Sequence, residues 1–160
     1  MKVISFFLAV LLLVSCGEKK LSPTEYGNKL VNEVFNPLSQ LAYDTRMALI
    51  TDSCLTKEQN IALVTALSER TDSCIKLIES LNYPDKAKRL HHSLLRTCCF
   101  QRDSINSILF DIANTERKSE AWYGHWVVIE TRLSEVASVM QNETNEAIEE
   151  FSEKTRIRMK

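Results

Sequence analysis

Four long stretches of this chain repeat apolar residues at steps of three and four, and almost nothing interrupts them. The first stretch carries Leu30, Val34, Leu38, Leu41, Thr45 and Ala48; the second carries Ile61, Val64, Leu67, Thr71, Cys74, Ile78 and Leu81. A third runs through Leu90, Leu94, Cys98, Ile105, Ile108 and Ile112, and a fourth through Trp122, Trp126, Ile129, Leu133, Val136 and Met140 to Ala147, Ile148 and Phe151. Each is one face of an amphipathic helix. Turn chemistry is scarce: the 160 residues hold 3 glycines and 3 prolines, too few for a protein built of strands and tight turns. Each stripe is narrow, so each helix must share a core with the others. The expected fold is all-α, an antiparallel up-and-down four-helix bundle.

Local signals place the ends. Ser22 is a candidate N-cap with Pro23 in the first helical position. Asn36-Pro37 interrupts the first stripe, where the missing amide proton predicts a kink or a cap and restart. Thr51 to Cys54 reads as a loop, and Thr56 with Gln59 as a capping box opening the second helix. Asn82-Tyr83 is the next loop, with Pro84-Asp85 starting the third helix. Asn114 to Ser119 is the last loop. Thr71-Asp72-Ser73 are mediocre helix formers, so a bend is conceivable inside the second helix. Gly124 costs its helix about 1 kcal/mol relative to alanine, which suggests a close helix approach there or a start nearer His125. The acidic run Glu143 to Glu153 and the basic end Lys154 to Lys160 read as a solvated face with cations at a helix C-terminus.

The first residues carry a different message. Lys2 is followed by an apolar run from Val3 to Val14, the length of a secretion-signal core and too short to span a bilayer as a helix. Leu13-Val14-Ser15-Cys16 then resembles the lipobox of bacterial lipoproteins. The resemblance covers about the first sixteen residues. It implies a cleaved signal peptide over 1–15, a covalent diacylglycerol and an N-acyl group (palmitate-type chains) on Cys16, and a lipidated tether over 16–22 leading to a bundle domain over 23–160. No other cofactor is expected. It also implies a lipid-anchored place at a membrane of the bacterial cell envelope. Gly17 rather than Asp follows the cysteine, which in that family favours the outer membrane over the inner.

Cleavage there would leave 145 residues with 19 basic and 21 acidic side chains, a net charge of −2. That balance excludes the basic face a nucleic acid requires. The anchor is therefore lipid rather than charge. The mature length fits one domain.

Cys54, Cys74, Cys98 and Cys99 remain. An oxidising periplasm permits disulfides, in three connectivities. Folding the second and third helices about residues 82–83 sets Cys74 and Cys98 about 10 Å out of register, against the ~6 Å between bridged α-carbons. Most of the thiols are expected to be free small hydrophobes. His91, His92, Cys98 and Cys99 are the nearest approach to a metal cluster, but seven-residue spacing places the pairs about 10.5 Å apart along a helix. No metal is assigned. Trp122, His125 and Trp126 form the densest aromatic segment, either a binding surface or core.

Glu-x-x-His, Gly-rich phosphate loops, His-Glu-x-x-His and Gly-x-Ser-x-Gly do not occur in the sequence, and no catalysis is expected. Leu55-Thr56-Lys57-Glu58-Gln59 resembles the Leu-Thr-x-x-Gln motif of small helical periplasmic stress chaperones, which would imply a holdase; the same letters also serve a helix N-cap. The expected function is a lipid-anchored interaction module for an envelope protein or peptide. The alternatives are a small-molecule or metal carrier using the interior near His91, Cys98 and Trp126, or the holdase.

Overall fold

The computed structural model describes residues 20–157. Cys16 and the segment expected to be a signal peptide lie outside the described residues. Four helices and no strands make up what is described, and they pack as a helical bundle. We label them α1 (23–51), α2 (Lys57–Ser80), α3 (88–114) and α4 (120–155). A single 3₁₀ turn, Asp85–Ala87, leads into α3.

Side chains start three of the helices. The Ser22 hydroxyl accepts from the Glu25 amide, and the Glu25 carboxylate accepts from the Ser22 amide at 2.9 Å. Thr56 and Gln59 form the same reciprocal box at the head of α2. Ser119 caps α4 by accepting from the Trp122 amide. Each pair satisfies amides that have no partner within the helix.

Three of the four helices contain a π-helical turn: Leu30–Phe35 in α1, Gln101–Ile105 in α3 and Ile129–Leu133 in α4. The first has a visible cause. Pro37 has no amide proton for the Glu33 carbonyl, and its ring crowds that carbonyl. The wider turn relieves the crowding, and Arg70 of α2 donates to the Glu33 carbonyl at 2.5 Å. The expected kink at Asn36-Pro37 is thus a widened turn in a helix that continues.

A π-turn inserts a residue into the helical count, yet stripe residues beyond each one stay buried, Thr45 in α1, Ile112 in α3 and Met140, Ala147 and Phe151 in α4; the departures are single residues. In α1 Leu49 is buried where the regular spacing names Ala48; in α3 Leu109 is buried where it names Ile108. In α4 Val136 is 44% exposed, and its neighbour Ala137 is the half-buried residue. Uninterrupted α2 buries Val64, Leu67, Thr71, Cys74 and Ile78 as its stripe requires. Thr71-Asp72-Ser73 causes no break: the Thr71 hydroxyl donates to the Leu67 carbonyl at 2.7 Å within a continuous helix. Gly124 needs no close approach either, because a Cβ there would meet nothing within 4 Å.

The buried side chains fall into two clusters. One joins the start of α1 (Tyr26, Leu30), the end of α2 (Ile75, Ile78), the start of α3 (Leu90, Leu94) and the end of α4 (Ala147, Phe151). The other joins Leu49 with Val64 and Leu67, Leu109 and Ile112, and Trp122, Trp126 and Ile129. A polar layer interrupts them. Gln101 Nε2 donates to Asn106 Oδ1 at 2.8 Å, and Asn106 Nδ2 donates to Thr71 Oγ1 at 3.2 Å. Asn106 and Thr71 are 1% and 0% exposed, so this chain must be satisfied to be tolerated.

Candidate functional site

The two seams beside α4 differ. Toward α3 the seam is closed beneath an open, charged depression of about 1000 Å³ lined by Arg89, His92, Arg96, Glu143 and Glu150: Leu90, Ala147 and Phe151 pack under it. Arg89 bridges Glu146 and Glu150 at 2.7 and 2.9 Å, Arg96 pairs with Glu143, and the Ser93 and Thr144 hydroxyls meet at 2.7 Å. Toward α1 the helices touch at the ends. Tyr26 and Phe151 meet edge to face at 5.9 Å, and Arg46 pairs with Glu130 at 2.8 Å. Between those contacts lies a groove of about 560 Å³, a size that suits a small ligand.

The groove is built by α1, α3 and α4 together. Its apolar lining includes Val34, Leu38, Leu94, Cys98, Ile105 and Met140. Its polar lining is almost wholly neutral: carboxamides of Asn36, Gln101, Gln141 and Asn145, with the hydroxyls of Ser39, Thr97 and Thr144. Arg46 is the sole ionic side chain in it, and Glu130 already holds that guanidinium. Two of the three π-turns supply lining residues, and the third carries Glu130 at the groove's end. π-turns widen helices where a straight one would fill the space, and they recur at functional sites.

The aromatic candidates lie elsewhere. Trp122 and Trp126 are each 8% exposed, their rings 5.8 Å apart at 69°, packed in the second cluster. His125 is half-buried on the same helix. These side chains work as core at the end of the bundle remote from the described N-terminus.

His91 is 6% exposed and held in an aromatic cage. Tyr83 stacks on it with ring centroids 3.9 Å apart, and Tyr26 Oη lies 3.3 Å from its Nδ1. Burial, then the neighbouring His92 charge, lowers the His91 pKa. Burial also pushes up the Tyr26 hydroxyl, with the Tyr83 charge adding to it. His92 is exposed at the edge of the cage. Cys98 is buried and its thiol is pushed up to about 12 by burial, with Cys74 and Cys99 adding to it. A thiol so protonated is a poor nucleophile and metal ligand at neutral pH. Burial raises Cys74 as well. Cys99 is half-buried, Cys54 is exposed, and all four described thiols are free. Among the described residues no three His, Cys, Asp or Glu side chains gather as a metal site. Of His91, Cys98 and Trp126, proposed together for a carrier, the structure brings only Cys98 to the groove.

The groove's carboxamides carry no periodic signal, which is why the stripes miss them. The hint lies in what α1 and α4 lack. From 130 to 139, α4 buries no residue among those described. Compared with protein-family models, with curated proteins and with solved structures, the chain matches none.

Proposed function

We propose that this chain is a lipid-anchored binding module of the bacterial envelope, an antiparallel up-and-down bundle that holds a partner or ligand in the groove between α1 and α4. The antiparallel order is supported by the core clusters, each of which pairs helix starts with the ends of their neighbours. Along the closed seam, Arg89 meets Glu146 and Glu150 while Arg96 meets Glu143, so α3 advances as α4 recedes. The lipid anchor rests on the Leu13-Val14-Ser15-Cys16 pattern.

The groove is the observation that carries the binding reading. A small bundle has every reason to close an apolar seam, since burial of each square ångström stabilises it by about 25 cal/mol. Here the seam stays open along its middle while both ends are pinned. The tether gives the module a direction. The Leu21 amide donates to the Asn82 carbonyl at 2.8 Å, and Lys20 pairs with Asp85 at 2.6 Å. Cys16 is four residues before Lys20, a reach of about 14 Å. The α2–α3 loop would then face the bilayer and the groove would run away from it, raising its effective concentration for neighbours at that surface.

Two measurements test this. Mass spectrometry of cell-purified protein should show a chain beginning at acylated Cys16; residue 1 retained with a free thiol at Cys16 removes the anchor. A photo-crosslinking side chain at Ser39, on the groove rim, should give a discrete adduct in cells. The same group at exposed Lys76 on α2 should give none. Equal labelling from both sites, or none from Ser39, contradicts the groove as the place of binding.

A further inference from the structure

The groove's dimensions and lining narrow what it takes. Along α1 it extends from Val31 to Arg46 and along α4 from Ala137 to Ile148, which is about 17–22 Å at 1.5 Å per residue. Its roughly 560 Å³ is spread along that length, so the groove is long and narrow. An extended chain fits: about five residues span 17 Å. The neutral lining then separates a peptide from a hydrocarbon chain. A fatty acid asks nothing of Asn36, Gln101, Gln141 and Asn145, and its carboxylate would find only an arginine that Glu130 already holds. A carboxamide offers donor and acceptor together, which matches the alternating amide and carbonyl of an extended peptide.

Resting on the groove reading above, we propose that the ligand is a short, uncharged, apolar peptide segment in extended form. The carboxamides of Asn36, Gln141 and Asn145 hold its backbone, and its side chains lie on the partly exposed Val31, Leu38 and Ile148. Recognition of backbone rather than of side-chain detail makes the site tolerant of sequence within an apolar, neutral class. A charged side chain placed in the floor would lose its water without finding a counter-ion.

The test uses the folded chain and four fluorescent probes read by anisotropy. These are an end-capped heptapeptide of valine and threonine, the same peptide with N-methylated backbone amides, the same with two glutamates, and a labelled sixteen-carbon fatty acid. The unmodified peptide should bind, and N-methylation or the glutamates should weaken it by about tenfold or more. Gln141→Leu with Asn145→Leu, both at exposed positions, should weaken the unmodified peptide to a similar degree with the melting curve unchanged. Equal affinity for the N-methylated peptide, or tighter binding of the fatty acid, overturns the peptide assignment and leaves the groove a hydrocarbon site. Binding of no probe, or binding that survives Ala137→Trp in the groove wall, overturns the groove reading itself.

Discussion

The two flanks of α4 carry different side chains, charged on one side and neutral on the other, and they pack differently. Against α3 the helix brings Ala147 and Phe151 onto Leu90 and Leu94, with a ladder of ion pairs over them. Against α1 it brings Ala137, Met140, Gln141 and Asn145 into the lining of a groove. The difference is one of side-chain chemistry: toward α3 the helix offers Glu143, Glu146 and Glu150 to arginines, and toward α1 it offers Ala137, Gln141 and Asn145, whose side chains are neutral.

Substitutions that load the two flanks differently test this contrast. Leu90→Asp, at a 1% exposed position of the closed flank, should unfold the domain: truncation alone at such a site costs about 2–5 kcal/mol, and a buried unpaired charge costs more. Gln141→Asp, at an exposed position in the groove lining, should stay within about 0.5 kcal/mol of the parent. Similar melting temperatures for the two variants would erase the distinction. Arg70→Ala withdraws the nearer of two donors to the Glu33 carbonyl, leaving the Cys74 thiol at 3.9 Å, and should cost about 1 kcal/mol. No change in the denaturation midpoint would mean water serves that carbonyl equally well.

A pH-dependent difference should follow from His91. Its folded pKa lies below the ordinary 6.5 because burial disfavours the charged ring and His92 adds to that. The unfolded chain therefore binds the proton more readily, so His91's contribution is complete above 6.5 and is lost as pH falls below it. Melting temperature should drop between about pH 7 and pH 5 in the parent and drop less in His91→Phe. Equal slopes would contradict the buried, caged placement. Gly124→Ala, with open space around its Cβ, should stabilise by up to about 1 kcal/mol. Arg46→Gln and Arg89→Gln remove exposed ion pairs on the open and closed flanks, and each should change stability by less than about 1 kcal/mol.

Much of this fold is legible in the sequence, and the residues show where legibility stops. Ser22 with Glu25 and Thr56 with Gln59 act as local caps, and local chemistry is what a sequence displays. In α2 the stripe residues Val64, Leu67, Thr71, Cys74 and Ile78 are buried, with Ile61 half-buried at its start. Ala48 and Ile108 are half-buried beside buried Leu49 and Leu109, and Val136 is exposed beside half-buried Ala137, because a periodic pattern does not say which of two apolar neighbours turns inward. Pro37 announces a disturbance, but its remedy depends on Arg70, which lies 33 positions along the chain. Trp122 and Trp126 draw attention as aromatic neighbours, yet the fold uses them as core. The carboxamides of the groove, by contrast, come from three helices and gather only in space.

The most direct test of the open flank is a pair of space-filling substitutions read by thermal melting. Ala147→Trp, at a position 1% exposed in the closed flank, should overpack and destabilise by about 1–3 kcal/mol or more. Ala137→Trp, beside the groove, should find room and leave the melting temperature unchanged or raised. A loss at Ala137 as large as that at Ala147 would show that α1 and α4 close on each other, and the groove with its ligand would fall together.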